Sequence, residues 1–292
     1  MSSSPNAAFR AGLAALIGRT NVGKSTLLNA LVDSKIAIVS PKPQTTRHPV
    51  HGVVHRPQGQ LVLVDTPGFF KTHASALVDR LHHRARTALD GIDLVIHVVD
   101  PSRPPGPEET MVLDTLAHCP QPRVLCLNKS DLRERPHRDA WIARAGEYSA
   151  LAEVSAIARR GIEPLIDTLL ALLPPGEPLY PPSDLTNAHR DFRIAECIRE
   201  KIYLLTGEEV PYRTAVRLDA TDTEQREPPA KPRTRITATI LVANDRYKAM
   251  LIGAGGQMVK KIRAAARGDL QRLIGTPVAL DLNVRTDAHL PE

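Results

Sequence analysis

Residues 18–25, read as Gly-Arg-Thr-Asn-Val-Gly-Lys-Ser, constrain this chain more than any other stretch, because they fit the pattern G-x-x-x-x-G-K-[ST]. An apolar run precedes them and a helix-forming run follows, so the pattern predicts a strand, a phosphate-binding loop and a helix. Glycines let successive N–H groups point into one concavity, and the helix adds its positive end. A chance Lys-Ser pair in a glycine-rich turn is the less favoured interpretation.

This loop predicts a nucleotide-binding role for each of its residues. We expect Lys24 to reach the β- and γ-phosphates and to be catalytic, and the Ser25 hydroxyl to ligate the Mg²⁺ that bridges them. The predicted nucleotide contacts here are Gly18, Arg19, Thr20, Asn21, Val22, Gly23, Lys24, Ser25 and Thr26.

Length and composition limit the remaining possibilities. A chain of 292 residues predicts about two domains. The formal net charge of +6 favours a polyanionic partner. The three cysteines have no metal-binding or redox spacing, which is typical of a reduced cytoplasmic protein. Because no run of 18 apolar residues exists, the sequence predicts a soluble protein, at most peripheral to a membrane.

A polar segment over residues 34–49 follows the first predicted helix. Loops of this length inside a compact domain are commonly functional, and this one contains Thr45 and Thr46 soon after the phosphate loop. We expect the hydroxyl of Thr46 to complete the Mg²⁺ shell and to take part in catalysis, with Thr45 as the fallback. A passive surface loop, in which these threonines cap turns, is the alternative.

The next strand runs into the residues Asp65, Thr66, Pro67 and Gly68. An Asp at the end of a buried strand suits the carboxylate that holds Mg²⁺, and Gly68 can bring its N–H against the γ-phosphate without interference from a Cβ atom. Asp-Thr-Pro-Gly is also good turn chemistry, so its weight comes from following the phosphate loop. We predict that all four residues contact the nucleotide and that Gly68 is catalytic.

Two later strand ends carry the residue types needed to recognise guanine. After an apolar run come Asn128, Lys129, Ser130 and Asp131, and a carboxylate there can accept hydrogen bonds from both N1–H and N2–H₂ of guanine. Adenine has no such donor pair, so it would leave Asp131 unpaired. We expect Asn128 to tether neighbouring loops, Lys129 to cover the ring, and Ser155 and Ala156 to present a backbone N–H to O6.

The order of these motifs predicts the architecture of the first domain. Each motif follows a separate strand, which is typical of a doubly wound α/β domain with ligands at the carboxyl ends of its strands. A proline-rich stretch then predicts a stiff linker. We predict a nucleotide-binding domain over residues 1–176, a linker over 177–183 and a smaller α+β domain over 184–292.

The smaller domain contains a predicted helix, a glycine-rich turn and a basic helix. Between residues 246 and 272 there are seven Lys or Arg residues and a single acid. A charge run alone is usually a solvated face, but the helix–GxxG–helix element is the one with which KH modules clamp an RNA backbone. The predicted RNA contacts are Gly253, Ala254, Gly255, Gly256, Lys260, Lys261, Arg263 and Arg267.

Together these motifs resemble the Era family of bacterial GTPases. The resemblance spans nearly the whole chain and implies a P-loop NTPase with a Ras-like G domain and a mixed, mostly parallel sheet, followed by a KH-like domain. It implies slow GTP hydrolysis, GTP or GDP and Mg²⁺ as ligands, binding to the 3′ region of small-subunit ribosomal RNA, and assistance in maturation of the 30S subunit. It also implies a cytoplasmic monomer with peripheral contact with the inner membrane.

The sequence departs from the pattern of this family in two places. Ala254 and Gly255 stand inside the GxxG turn where relatives often carry basic or polar residues, so side-chain contacts from that turn are lost. The sequence as given stops at Glu292, without the Trp-containing tail common in the family. Separately, Phe69 stands where Ras-like enzymes place the Gln that orients water, and Asn21 resembles the asparagine that ligates K⁺ in related GTPases.

Two other classes of function stay open on the sequence alone. One is an RNA chaperone in which the nucleotide is structural and its turnover is negligible. The other is a GTPase that controls a protein or membrane partner and has little affinity for RNA.

Overall fold

The chain, described here by a computed structural model, forms two compact units, Met1–Asn187 and Ala188–Glu292. The structure describes residues 8–42, 45, 50–66, 91–207, 209–225, 232–287 and 290. Each unit has its own sheet and its own core.

The first unit is built on a six-stranded sheet in the order β2-β3-β1-β4-β5-β6. Strand β2 is antiparallel to β3, and every other neighbouring pair is parallel. The predicted mixed, mostly parallel sheet is therefore confirmed. The strands are β1 (Arg10–Ile17), β2 (Val50–Arg56), β3 (Gly59–Asp65), β4 (Leu94–Val99), β5 (Arg123–Leu127) and β6 (Ala150–Glu153). The described helices are α1 (Lys24–Val32), α2 (Pro107–Ala117), α3 (Arg138–Ile142) and α4 (Ile162–Leu172).

Near-continuous apolar runs form the central strands because helices cover the sheet on both faces. Every residue of β4 is buried. Ala15 and Ile17 of β1 pack against Val112 and Leu116 of α2. Helices α1 and α4 contact each other as well as the β1–β3 side of the sheet. This layering fixes the strand ends, and therefore the loops that follow them, at one edge of the sheet.

The proline-rich stretch belongs to the first unit, which differs from the predicted linker over residues 177–183. Gln60, 1% exposed, accepts hydrogen bonds from the N–H groups of Leu179 at 2.6 Å and Tyr180 at 2.9 Å. Its Nε2 donates to the carbonyl of Tyr180 at 2.7 Å. Further along, the N–H of Val53 donates to Leu185 at 2.9 Å. The unit therefore extends beyond residue 176, because one buried amide and the open edge of β2 hold the stretch in place.

The second unit has α+β architecture, as predicted. Its three-stranded sheet has the order β7-β8-β9, with β7 antiparallel and β9 parallel to β8. An apolar cluster joins the sheet to its helices. The elements are α5 (Arg190–Leu205), β7 (Thr214–Glu224), β8 (Arg233–Val242), α6 (Asp245–Ile252), α7 (Gln257–Ile274) and β9 (Val278–Thr286).

Two sequence predictions about individual elements are wrong. The sequence predicts a hairpin loop from residue 219, but β7 continues to Glu224 after a register shift between Leu218 and Ala220. Thr221 and Thr223 are β-branched residues that suit this exposed strand better than their polarity suggests. The sequence also predicts a helix over residues 137–148, but α3 ends at Ile142, before Gly146, a residue type that disfavours helix. Among the described residues, no helix combines the length and apolar character needed to span a bilayer.

Candidate nucleotide-binding site and nucleic-acid interface

The predicted nucleotide-binding residues that the structure describes lie at one edge of the first unit's sheet. Strands β1, β3, β4, β5 and β6 run parallel, so the loops that follow them emerge on the same side. These loops carry, in order, the phosphate loop, Asp65 and Thr66, Asp100, the residues Asn128 to Asp131, and Ser155 with Ala156. Thr46, Pro67 and Gly68 lie outside the described residues, as does Phe69.

Gly23 allows the phosphate loop to pass close to the side chain of Asn128, the residue after β5. Its φ is +98°, in the region that favours glycine, and a Cβ atom there would lie 2.4 Å from Nδ2 of Asn128. Helix α1 begins at the next residue, so its free N–H groups face the same concavity. Thr20, Asn21, Ser25 and Thr26 line this cavity together with Gly23 and Lys24. The loop therefore has the geometry of an anion-binding cradle.

Lys24 is buried in this cradle, with 7% of its surface exposed. Its Nζ donates to the carbonyls of Gly18 at 3.0 Å and Arg19 at 3.1 Å. Burial lowers the pKa of Lys24 from 10.5 to about 8, although the carboxylates of Asp65 and Glu109 oppose this shift. A phosphate in the cradle would favour the charged ammonium in the same way, so the site is suited to a polyanion.

Ser25, which lines the cradle, lies next to Asp65. The hydroxyl of Ser25 donates to Oδ2 of Asp65 at 2.7 Å, and Asp65 is fully buried at the end of β3. A hydroxyl and a carboxylate are hard oxygen ligands of the kind Mg²⁺ prefers, so this pair fits the predicted metal. Thr66 is turned inward, and its hydroxyl donates to the carbonyl of Leu16 at 2.7 Å. The hydroxyl of Thr45 donates to the carbonyl of Lys42 at 2.7 Å.

Asn128 connects the phosphate loop to the loop after β6. Its Nδ2 donates to the carbonyl of Val22 at 2.9 Å, and its Oδ1 accepts from the N–H of Ala156 at 3.1 Å. Asn128 is 3% exposed, so both bonds lie away from water. The sequence predicts this tethering role, and the contacts agree with it.

Asp131 lies beside Ser155, the other predicted guanine reader. The hydroxyl of Ser155 donates to Oδ1 of Asp131 at 2.5 Å. The N–H of Ser130 donates to the carbonyl of Val154 at 3.0 Å, which holds the two loops together. A carboxylate oriented in this way can accept the paired donors of a guanine base.

Two buried carboxylates that the sequence analysis did not identify contact this site. Asp100, at the end of β4, accepts from Nζ of Lys129 at 2.7 Å, and Glu109 on α2 forms an ion pair with Nε of Arg19 at 3.4 Å. Asp100 is 1% exposed and Glu109 is 2% exposed. The position of Asp100, directly after a buried strand, is the signal that could have identified it; Glu109 looks like an ordinary helix N-terminal acid.

His97 contacts the same network from inside β4. Its Nε2 lies 2.8 Å from Oε1 of Glu109, and its Nδ1 lies 2.8 Å from the hydroxyl of Tyr148. Burial raises the pKa of Tyr148 to about 12, so this hydroxyl stays protonated. His97 is therefore a hydrogen-bonded core histidine.

In the second unit, the glycine-rich turn joins α6 to α7. Gly253 has a φ of +71°, and a Cβ atom there would lie 2.9 Å from Cβ of Met258. Ala254 and Gly255 are exposed, and Gly256 precedes the first residue of α7 with a φ of +76°. The four predicted basic contacts, Lys260, Lys261, Arg263 and Arg267, are all exposed on α7.

A groove beside α7 brings in a basic residue that the sequence prediction omitted. Arg233, at the start of β8, lines it together with Arg263, Arg267 and the first residues of β9. Nε of Arg233 is buried and has no hydrogen-bond acceptor in the part of the chain that the structure describes. Three guanidinium groups around one groove make a surface that suits phosphates.

Both parts of this chain match known protein families. Residues 13–129 match the family model described as 50S ribosome-binding GTPase, and residues 209–287 match the KH domain model. The chain is similar to GTPase Era of Bordetella avium (strain 197N), with 38% identity over 282 residues that cover 95% of this chain and 93% of that protein.

Two solved structures are similar over almost the whole chain. A crystal structure of Era in complex with MgGDPNP and nucleotides 1506–1542 of 16S ribosomal RNA has a TM-score of 0.87 and 31% identity, and covers 96% of this chain and 95% of that one. A variant of Aquifex aeolicus Era bound to GDP·AlF4⁻ has a TM-score of 0.86 and 31% identity, with the same coverage of both chains.

Proposed function

This chain belongs to the Era family of GTPases, and from that premise we propose that it is a GTP-hydrolysing switch that binds the 3′ region of small-subunit ribosomal RNA. Through that binding it assists maturation of the 30S ribosomal subunit. The observation that carries the nucleotide half is the tether of Asn128, which joins Val22 of the phosphate loop to Ala156 beside Asp131. Phosphate and base are thereby bound by one continuous set of loops.

Each described residue then has a distinct task. Lys24 neutralises the β- and γ-phosphates, and the remaining loop residues from Gly18 to Thr26 surround them with N–H groups. Asp131 accepts from the guanine donors and Lys129 covers the ring. The N–H groups of Ser155 and Ala156, which the sequence predicts to meet O6, donate instead to Arg160 at 3.0 Å and to Asn128 at 3.1 Å. We propose that Thr46 completes the Mg²⁺ shell and takes part in catalysis. Pro67 and Gly68 contact the nucleotide, and Gly68 is also catalytic.

The proposed metal is Mg²⁺, held by Ser25 and Asp65 and completed by Thr46. The 2.7 Å contact between Ser25 and Asp65 supports this, because two oxygen ligands lie together beside the cradle. Bound there, Mg²⁺ supplies positive charge to the phosphates that react. Asp65, the last residue of β3, accepts from Ser25 on α1 and orients its hydroxyl.

A monovalent cation is a further part of the proposal. Asn21 has a φ of +63°, and its Nδ2 donates to the carbonyl of Pro41 at 2.7 Å, so the phosphate loop contacts the loop that precedes Thr45. An amide oxygen and a backbone carbonyl are ligands for K⁺, which would neutralise the charge that an arginine finger meets in other GTPases. Hydrolysis that is equally fast in K⁺ and in Na⁺ would contradict the proposed K⁺ site.

The intrinsic rate is proposed to be slow. Phe69 can neither orient nor deprotonate water, so backbone groups or the partner must position the nucleophile. This makes stimulation by the ribosomal particle the natural readout of the switch.

The RNA half of the proposal rests on the second unit. The solved Era complex contains 16S ribosomal RNA together with MgGDPNP, and the second unit here carries exposed basic residues on α7 beside a glycine-rich turn. We propose that Gly253 to Gly256, Lys260, Lys261, Arg263 and Arg267 contact the RNA backbone. Because such contacts are electrostatic, they hold the strand without reading its sequence.

The deciding experiment combines turnover with crosslinking. Phosphate release is measured under multiple-turnover conditions with and without 30S subunits, and crosslinking to 16S ribosomal RNA is compared between GTP-analogue and GDP states. We expect turnover that Lys24→Ala nearly abolishes, and crosslinking that depends on the nucleotide. Crosslinking without turnover would favour an RNA chaperone, and turnover without RNA contact would favour a protein or membrane partner.

The last part of the proposal concerns the cellular location and the oligomeric state of the chain. We propose a monomer in the cytoplasm, where the ribosomal RNA is found, with peripheral contact with the inner membrane as the family resemblance implies. Cell fractionation and sedimentation of the purified chain test these points.

A further inference from the structure

We propose that residues 100–109, termed here the bracing segment, position the two halves of the nucleotide site: Asp100 holds Lys129 over the base, and Glu109 holds Arg19 of the phosphate loop. This inference rests on the proposed function. The bracing segment comprises the residue after β4, the loop that follows it and the start of α2.

The base side of the bracing segment is organised by Asp100. Its Oδ2 accepts from Nζ of Lys129 at 2.7 Å, and its Oδ1 accepts from the N–H of Ser102 at 3.0 Å and from the Ser102 hydroxyl at 2.6 Å. Burial alone would raise the pKa of Asp100, but these hydrogen bonds keep it below its ordinary value. Asp100 therefore stays charged and fixed.

Lys129 needs this partner because part of its side chain is exposed to solvent, where no other described residue orients it. Its φ is +62°, and 32% of its side chain is exposed, whereas Asp100 is almost fully buried. A lysine side chain is flexible and is strongly hydrated when free. One charged hydrogen bond to a rigid carboxylate selects the conformation in which Lys129 can cover the base, so Asp100 is a positioning residue and contacts no nucleotide itself.

The phosphate side is organised by Glu109 and two backbone carbonyls. Nη1 of Arg19 donates to the carbonyl of Pro104 at 2.8 Å, and Nη2 donates to that of Arg103 at 3.5 Å. The carboxylate of Glu109 forms the ion pair with Arg19 while it also contacts His97. Because the backbone carbonyl of Arg19 accepts from Lys24 at 3.1 Å, this anchoring positions the phosphate loop next to its lysine.

Competition binding with GDP and IDP tests the base side, because IDP lacks the 2-amino group but keeps the ring face. We expect Asp100→Asn to weaken both ligands by the same factor, about tenfold, which is typical for one hydrogen bond to a charged group. The matched control is Asp114→Asn, an exposed Asp on α2 with the same charge change, for which we expect less than a twofold change. An altered GDP-to-IDP preference would overturn the proposal, because it would mean that Asp100 acts through Asp131.

A double-mutant cycle shows whether Asp100 acts through Lys129. In the Lys129→Ala background, Asp100→Asn should change GDP affinity less than twofold; a full tenfold loss there would overturn the proposal. If Asp100→Asn fails to fold by circular dichroism, Ser102→Ala is the second variant, and it should weaken GDP about threefold because Asp100 loses one of its anchors. Unchanged affinity in Ser102→Ala would then overturn the proposal.

The phosphate side is tested by single-turnover hydrolysis. Glu109→Gln should slow hydrolysis about tenfold and leave the GDP-to-IDP preference unchanged, whereas the exposed control Glu134→Gln should do neither. In the Arg19→Ala background the effect of Glu109→Gln should disappear, and its persistence would overturn this half. If the unaltered chain binds neither GDP nor GTP, the proposed function fails instead, so the two failures are distinguishable.

Discussion

The hydroxyl of Ser155 donates a 2.5 Å hydrogen bond to the carboxylate of Asp131, although these residues follow different strands of the sheet. This bond orients Asp131 by using one lone pair of Oδ1 and leaves the others for a ligand. It also makes the loop after β6 part of the base site. Because Asp131 keeps free acceptor sites for the base, replacing it should change which base the site prefers.

Asp131→Asn should change the preferred nucleotide from GTP to XTP. The amide can donate to the C2 oxygen of xanthine but cannot accept two guanine donors, so we expect GTP affinity to fall at least tenfold. Competition binding with the two triphosphates measures this. A variant that still prefers GTP would show that another residue reads the base.

Lys24→Ala should weaken triphosphate binding and lower the rate of hydrolysis by about 10² to 10³, the usual effect of removing one group that stabilises transition-state charge. Single-turnover phosphate release measures the rate. Lys35→Ala, a nearby exposed lysine, is the matched control and should leave the rate unchanged. Unaltered turnover in Lys24→Ala would refute the phosphate-loop assignment.

Asn128→Ala should weaken GDP binding by about ten- to a hundredfold, because it removes two buried hydrogen bonds at once. We expect the phosphate loop and the loop after β6 to lose protection from hydrogen exchange together. The control is Asn283→Ala, an exposed Asn in the second unit. Loss of protection in one loop alone would contradict the tethering role.

The Mg²⁺ ligands can be separated by alanine variants at the two neighbouring threonines. Thr46→Ala should abolish Mg²⁺-dependent hydrolysis, whereas Thr45→Ala should retain it, because the Thr45 hydroxyl donates to the carbonyl of Lys42. Titration of activity against Mg²⁺ gives the apparent affinity of each variant. The opposite result would transfer the role to Thr45.

The salt dependence of RNA binding counts the phosphate contacts of α7. Four contacts, from Lys260, Lys261, Arg263 and Arg267, predict a slope of log affinity against log salt of about −2.8 for single-stranded RNA. Replacing Lys260 and Arg263 by Ala should reduce the slope by about 1.4 and weaken all sequences similarly. GTP turnover without RNA should be unchanged.

A matched double variant, Arg217→Ala with Arg235→Ala, removes the same charge from strands β7 and β8 and should leave the slope nearly unaltered. Gly253→Asp combined with Gly256→Asp should weaken RNA binding more than the α7 double variant does. The new carboxylates would lie where the backbone approaches the RNA strand. RNA binding that is insensitive to the α7 and glycine changes would show that α7 is a solvated face.

The sequence by itself determined the order of the motifs and the type of nearly every element. Motifs such as those at Gly23 and Asp131 act through backbone shape and residue chemistry close to them in the chain, so their spacing reveals them. The apolar period likewise predicts a helix over residues 257–274, which agrees with α7. These features depend on residues that are close together in the chain, so they can be predicted from the sequence.

Only the tertiary structure decided which distant side chains hold the site together. Asp100 and Lys129, Arg19 and Glu109, and Gln60 and Tyr180 are pairs separated by 29 to 120 residues. Each pairing depends on how strands lie next to one another and on which groups lose contact with water. A buried charge or amide must find a partner wherever the fold brings one, and that partner has no fixed place in the sequence.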